Sequence, residues 1–196
     1  MEVPLDTFLR STDIIDWQHP AIQSVAVQLT SDTTLETAKR CYEWVRDEIY
    51  HSSDHHKNPV TCRASDVLHA RTGFCYAKSH LLAALLRAND IPAGLCYQRV
   101  RQDNGTYCLH GLNAVYLPDF GWYRIDARGN KPSVNAQFTP PVEQLAFMLD
   151  AKLGEIDLPD LYADPLPVVV TALTTYTTIE ELSAHLPDFD PTRVGF

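Results

Sequence analysis

A cysteine, a histidine and an aspartate in this sequence have the types and surroundings that nucleophilic catalysis requires. Cys75 follows a glycine-containing turn and begins a long apolar segment with helical spacing. A helix N-terminus carries roughly half a positive charge, and that field favours the thiolate, the nucleophilic form of cysteine. A thiolate catalyst also needs a base and a residue that orients the base. His110 and Asp126, in two consecutive predicted strands, are the candidates for these two roles.

The other four cysteines lack this placement, and Cys41 is interpreted as structural. Cys41 lies within a predicted helix beside its apolar face, Cys62 in a loop, and Cys96 and Cys108 in predicted strands. Free cysteines are among the most buried residues, so a structural thiol is the commoner interpretation of any one of them. Only Cys75 stands at a helix start after a glycine turn. Five cysteines without a CxxC pair indicate free thiols in a reducing cytoplasm.

The register of one predicted hairpin indicates whether the histidine and the aspartate can meet. If Leu117 to Gly121 form a five-residue turn, Tyr116 pairs with Trp122. Asp126 then lies one diagonal step from His110 on the same face of the sheet, with roughly 7–8 Å between Cα atoms. A turn one residue longer or shorter would place the two side chains on opposite faces.

Helices precede strands along the chain, which predicts an α+β fold. In this fold the helix that bears Cys75 packs on an antiparallel sheet that bears His110 and Asp126. The periodicity of apolar residues predicts helices over Pro20–Leu29, Asp32–Tyr50, a short segment around Val67 and Leu68, and Cys75–Asn89. It predicts strands over Leu95–Gln102, Tyr107–Leu117 and Trp122–Ala127, with Asn104-Gly105 as the first turn.

The remaining segments give further local predictions. Thr33 and Glu36 form a capping box, and Ser65 caps the short helix that Gly73 ends. The other predictions are a loop over His51–Pro59, a helix over Thr139–Leu149, a strand at Val168–Val170 and a last helix capped at Thr178.

Several motifs in matching order resemble the transglutaminase-like superfamily. Gly73-Phe74-Cys75-Tyr76 resembles its Gly-x-Cys-aromatic nucleophile motif, Leu85 to Ala93 its LLRAxGIPAR stretch, and His110 with Gly121 to Asp126 its His…GW..lD ending; Trp44 to Ile49 resembles its upstream helix. The resemblance covers roughly residues 35–129. Asp90 replaces the expected glycine, which aspartate tolerates in left-handed geometry. Gly111-Leu112-Asn113 stands where the family often has an aromatic residue.

The resemblance implies a papain-like fold and acyl transfer from amides through a thioester, without cofactor or metal. Cys75 would be the nucleophile, His110 the base and Asp126 the orienting residue. Hydrolysis by a peptidase or amidase is favoured, because a bare domain offers no second substrate module; transamidation to an amine is the alternative. A non-catalytic peptide-binding or assembly module is the rival, and the presence of all three residue types counts against it. The expected substrate is a peptide, a protein or a small amide.

Composition bounds the remaining classes of function. The 196 residues, 45% of them hydrophobic, are predicted to form one domain over residues 1–196. A net charge of −9 without a basic stripe argues against nucleic acid as a partner. The longest strongly apolar stretch, Leu81 to Leu86, is too short to span a bilayer. The first six residues lack the features of a signal peptide, and the expected location is the cytoplasm.

Several other residues are interpreted as structural or are left with two interpretations. The cluster of His51, Asp54, His55 and His56 is interpreted as a solvated loop, because no cysteine or helical i, i+4 pair completes a metal-ligand set. The others are His69 as a rival base, His80 as a core or boundary histidine, Trp122 as a cleft wall or core aromatic, and Arg128 as a contact for an acidic substrate or a cover for the sheet. Besides the Cys75 N–H, no residue is singled out as a donor to an oxyanion.

Overall fold

The computed structural model describes residues 3–189, so the domain predicted over residues 1–196 extends beyond the described part at both ends. Seven α-helices and six strands lie within residues 3–189. The helices are α1 (Pro20–Leu29), α2 (Thr34–Glu48), α3 (Ser52–His55), α4 (Ala64–Ala70), α5 (Cys75–Arg87), α6 (Pro167–Thr175) and α7 (Ile179–Ala184). The strands are β1 (Tyr50–His51), β2 (Thr72–Gly73), β3 (Ala93–Arg101), β4 (Tyr107–Leu117), β5 (Gly121–Ile125) and β6 (Ile156–Asp157).

An antiparallel four-stranded sheet in the order β5-β4-β3-β6 supports the candidate histidine and aspartate. Strands β4 and β5 pair with Tyr116 opposite Trp122, which confirms the predicted register. Every residue of α5 is buried, so this helix is central rather than amphipathic at the surface. The predicted α+β architecture, with the Cys75 helix packed on an antiparallel sheet, is confirmed.

A glycine allows the first turn of α5 to lie directly on β4. A Cβ atom at Gly111 would lie 3.1 Å from the Tyr76 Cα and 2.9 Å from its ring, so a larger residue would push the helix away. The Tyr76 hydroxyl donates a hydrogen bond to the Leu109 carbonyl, and the Asn113 amide donates one to the Ser79 carbonyl at 2.9 Å. Gly111 and Asn113, which follow His110, therefore fix the start of α5 against β4.

Most helix boundaries follow the local signals in the sequence. Pro20 occupies the first turn of α1, and Thr178 with Glu181 forms a complete capping box on α7. Only one half of the predicted box on α2 forms: the Thr33 hydroxyl accepts from the Glu36 N–H. The Glu36 carboxylate instead pairs with Arg40 one turn later. Asp90 adopts the left-handed conformation that its place after α5 requires, with a φ of 56°.

Three predictions around the short helices are wrong. The segment predicted as the loop His51–Pro59 begins in β1 and contains α3. Ser65 lies inside α4 rather than at its cap, because its hydroxyl and N–H are both bonded to the Asp16 carboxylate. The helix ends at Arg71, which takes a left-handed φ of 55°. Gly73 lies in β2 instead.

Two predictions beyond residue 129 are also wrong. No helix forms over Thr139–Leu149. In a helix, the Ala146 N–H would bond the Val142 carbonyl; it donates instead to the Asp126 carboxylate at 3.0 Å. The valines at 168–170, predicted as a strand from their β-branched side chains, belong to α6. Pro167 at the first helical position is the signal that outweighs them.

Candidate active site

The start of α5 places Cys75 at a small cavity between the helix and the sheet. Cys75 is 3% exposed. It follows β2, whose Gly73 pairs in parallel with His51 of β1. The cavity has a volume of about 110 Å³, and its wall includes Cys75, His51, Cys108, His110, Arg128 and Phe147. Two of the three predicted site residues, Cys75 and His110, therefore line one cavity, with the third directly behind the histidine.

His110 and Asp126 are joined by a short hydrogen bond. The His110 Nε2 lies 2.8 Å from the Asp126 Oδ2, and both side chains are buried. The carboxylate also accepts the N–H of Arg128 at 3.1 Å and the N–H of Ala146 at 3.0 Å. Three donors thus hold Asp126 in place. Because Nε2 is engaged, Nδ1 is the nitrogen of His110 that remains for Cys75.

Electrostatics favour a protonated His110. Burial alone would lower its pKa, but the negative charges of Asp126 and then Cys75, with hydrogen bonds to both, raise the pKa to about 10. Burial would raise the pKa of Asp126, but the charge of His110 and the hydrogen bonds from His110, Ala146 and Arg128 lower it below its usual value. At neutral pH the pair is therefore an imidazolium and a carboxylate.

The other four cysteines have raised thiol pKa values. All five cysteines are free. Burial raises the pKa of Cys41, Cys96 and Cys108 to about 12 and that of Cys62 to about 11. These four are neutral thiols at pH 7. Cys108 lines the same cavity as Cys75, which makes it a close internal control for the reactivity of that residue.

His69, His80 and Trp122, which the sequence analysis also considered, lie outside the cavity wall. His69 is exposed on α4 and is not part of the cavity wall. His80 is a core residue, as predicted: its Nδ1 lies 2.8 Å from the Cys62 carbonyl. Trp122 is 36% exposed and packs edge-on against Phe8, and it does not line the cavity. Trp122 shares a sheet face with Asp126, but four residues along a strand separate them by about 13 Å.

The polar cluster that begins at His51 divides into a buried and an exposed part. His51 is buried, whereas His55 and His56 are exposed. The Asp54 carboxylate binds both guanidinium nitrogens of Arg128, at 2.6 and 3.1 Å, so Arg128 forms a largely buried ion pair. Within residues 3–189, no group of three or more His, Cys, Asp or Glu side chains is arranged to hold a metal ion.

A loop that the sequence did not single out completes the site. The ring of Phe147 stands edge-on to His110, with 4.8 Å between centroids and an interplanar angle of 88°. The preceding residue, Ala146, donates its N–H to Asp126. No short-range pattern marks these two residues, because they contact Asp126 and His110, which lie about 20 and 40 residues earlier in the chain.

Comparison with known proteins gives a family and a fold. The family model described as the transglutaminase-like superfamily matches residues 23–127, more than half of the chain. No curated protein sequence matches the chain significantly. No helix formed by residues 3–189 has the length and apolar character needed to cross a membrane.

Two solved structures are similar to part of this chain. A suspected cysteine protease from Cytophaga hutchinsonii matches with a TM-score of 0.52 and 19% identity, over 65% of this chain and 43% of that chain. The periplasmic domain of TgpA from Pseudomonas aeruginosa matches with a TM-score of 0.47 and 22% identity, over 64% of this chain and 48% of that chain. This chain therefore aligns with less than half the length of either protein.

Proposed function

This chain belongs to the transglutaminase-like superfamily, and we propose that it catalyses cysteine-dependent acyl transfer from amides, with hydrolysis as the overall reaction. Cys75 is the nucleophile, His110 the proton donor and acceptor, and Asp126 the residue that orients the imidazole. The observation that carries this proposal is the 2.8 Å hydrogen bond between His110 and Asp126, next to Cys75 in one cavity. The proposed substrate is a peptide, a protein or a small amide.

The first half of the reaction forms a thioester. The Cys75 thiolate attacks the amide carbon, and the carbonyl oxygen takes up the negative charge. The imidazolium of His110 then gives its Nδ1 proton to the amide nitrogen as the carbon–nitrogen bond breaks. The amine leaves, and the acyl group remains on Cys75. The raised pKa of His110 keeps this proton available at neutral pH.

Water completes the cycle. The neutral His110 takes a proton from water at Nδ1 while the oxygen attacks the thioester carbon. The carbon–sulfur bond breaks, the acid is released, and the thiolate–imidazolium pair is restored. A cavity of about 110 Å³ supports water as the acceptor, because water needs no second binding surface.

The test is transient acylation by p-nitrophenyl acetate. We expect a burst of nitrophenol and one acetyl group on Cys75, detected by intact mass and peptide mapping. Cys108→Ala removes the other thiol of the cavity and should leave the burst unchanged, whereas Cys75→Ala should abolish it. Addition of a primary amine distinguishes the acceptors: trapping of most of the acetyl group as an amide would favour transamidation. Absence of any acyl group on Cys75 would favour the binding module.

The cytoplasm is the location we propose for the chain. Its support is chemical: all five cysteines are free, and free thiols persist in a reducing compartment.

A further inference from the structure

One buried histidine on the cavity wall has no part in the proposed mechanism. His51 is 4% exposed, and neither of its ring nitrogens has a hydrogen-bond partner among the described residues. Its Nδ1 lies 3.5 Å from the Asp54 Oδ2, beyond a normal hydrogen bond. Buried polar groups are nearly always hydrogen-bonded, and an exception calls for an explanation, of which a catalytic role is one. The missing partner of His51 therefore points to the cavity.

The backbone places His51 next to the nucleophile. Its Cα pairs with Gly73, two residues before Cys75. Its ring packs against Phe74, with 4.9 Å between centroids. It lines the same cavity as Cys75 and His110. A carbonyl group attacked by Cys75 would thus lie between the two histidines.

We propose that His51 is a catalytic residue, whose Nε2–H donates a hydrogen bond to the oxyanion formed when Cys75 attacks a carbonyl. The Cys75 backbone N–H at the start of α5 is the second donor. This inference rests on the proposed function, since the oxyanion exists only if Cys75 is acylated. Donors aimed at a developing oxyanion in a site that excludes water are among the largest contributions to catalysis.

The charges around His51 keep the ring neutral. Burial lowers its pKa well below the usual value, the charges of Arg128, Lys78 and His110 lower it further, and Asp54 opposes them. The Asp54 carboxylate is already bonded to Arg128 and to Lys131. The proposed role places the single ring proton on Nε2, since the carboxylate 3.5 Å from Nδ1 is occupied by Arg128 and Lys131. A neutral donor stabilises the oxyanion without competing with His110 as the acid.

Two reagents separate this role from a structural one. Iodoacetamide alkylates Cys75 by displacing iodide and forms no oxyanion, whereas p-nitrophenyl acetate acylates it through a tetrahedral oxyanion. In His51→Phe, which keeps the ring but has no donor, we expect acylation to slow by about 10²–10³ and alkylation to change less than about twofold. His51→Gln supplies an N–H donor and should recover part of the acylation rate. His51→Leu, checked by circular dichroism, replaces the Phe variant if that one fails to fold.

The outcomes are distinct. Selective loss of acylation in the donor-free variant, with recovery in His51→Gln, supports the proposal. Equal loss of acylation and alkylation would mean that His51 only shapes the site, and unchanged acylation would mean that it does not contact the oxyanion; either result overturns the proposal while the proposed function stands. If the unaltered protein forms no acetyl-Cys75, the proposed function and this inference fall together.

Discussion

The two histidines of the cavity wall are equally buried but differ in every contact of their ring nitrogens. On β4, His110 bonds a carboxylate that three donors hold in place. At the end of β1, His51 faces a carboxylate 3.5 Å away that Arg128 and Lys131 already occupy. The pKa of His110 is raised to about 10, whereas that of His51 is lowered well below its usual value.

A third buried histidine shows what burial does alone. His80 lies in the core with only the Cys62 carbonyl as a partner, and burial lowers its pKa to about 4. Burial therefore makes a histidine neutral unless a carboxylate with free lone pairs is positioned beside it. In the proposed mechanism, the side of the cavity that carries His110 (the β4 wall) moves a proton, and the side that carries His51 (the β1 wall) donates a hydrogen bond without moving one.

Replacement of His110 gives the largest expected effect. His110→Gln removes the imidazolium, so acylation of Cys75 by p-nitrophenyl acetate should fall by about 10⁴ or more, as with the histidine of other triads. Alkylation by iodoacetamide at pH 6 should fall by about 10², since an ordinary thiol is mostly protonated there. His69→Gln, on the exposed rival base, is the matched control and should change neither rate. A comparable loss in His69→Gln would reverse the assignment of the base.

Replacement of Asp126, the carboxylate bonded to His110, tests why the two histidines differ in pKa. Asp126→Asn keeps an acceptor for the imidazole but removes the charge that raises the pKa of His110. We expect acylation to fall by on the order of 10–10³, less than in a serine triad, because a thiolate–imidazolium pair depends less on its third member.

The pH dependence of acylation in Asp126→Asn shows in which direction the carboxylate shifts the pKa of His110. In the unaltered protein His110 stays protonated until the pH rises through about 10, so acylation by an amide substrate, whose amine must take up a proton as it leaves, should decline only at that alkaline limit. In the variant the charge of Asp126 no longer opposes burial, so the pKa of His110 should fall and the decline should move to lower pH. Asp54→Asn, which removes the carboxylate of the other wall, should leave this limit in place. An unmoved limit in Asp126→Asn would show that the carboxylate does not set the charge of His110.

Regular hydrogen-bonding patterns explain what the sequence predicted well. The odd turn between β4 and β5 fixes one register, and that register brings His110 and Asp126 to one face. The start of α5 at Cys75 follows from the glycine turn before it and the apolar run after it. These inferences succeed because strand alternation and helix starts are local properties of the chain.

The parts that the sequence did not predict depend on contacts without a period. β1 has two residues and α3 has four, too few for any repeating pattern, so His51 was assigned to a solvated loop. The chain over residues 139–149 takes its form from the Ala146 bond to Asp126, a tertiary contact that overrides local helix signals. Because their positions depend on such contacts, the sequence does not indicate His51 as the proposed oxyanion donor or Phe147 as the residue that covers His110.

The smallest expected effect concerns that aromatic cover of His110. Phe147 lies edge-on to His110, and such contacts contribute about 0.5–1.5 kcal/mol. Phe147→Ala should open the cavity and raise the rate of Cys75 alkylation by about two- to tenfold, most clearly with a bulky maleimide. Met148→Ala, at a neighbouring side chain that is 97% exposed, should leave the rate unchanged. If Phe147→Ala instead slows acylation and lowers its alkaline limit as Asp126→Asn does, then Phe147 orients His110 rather than covering it, and the β4 wall depends on the loop as much as on the carboxylate.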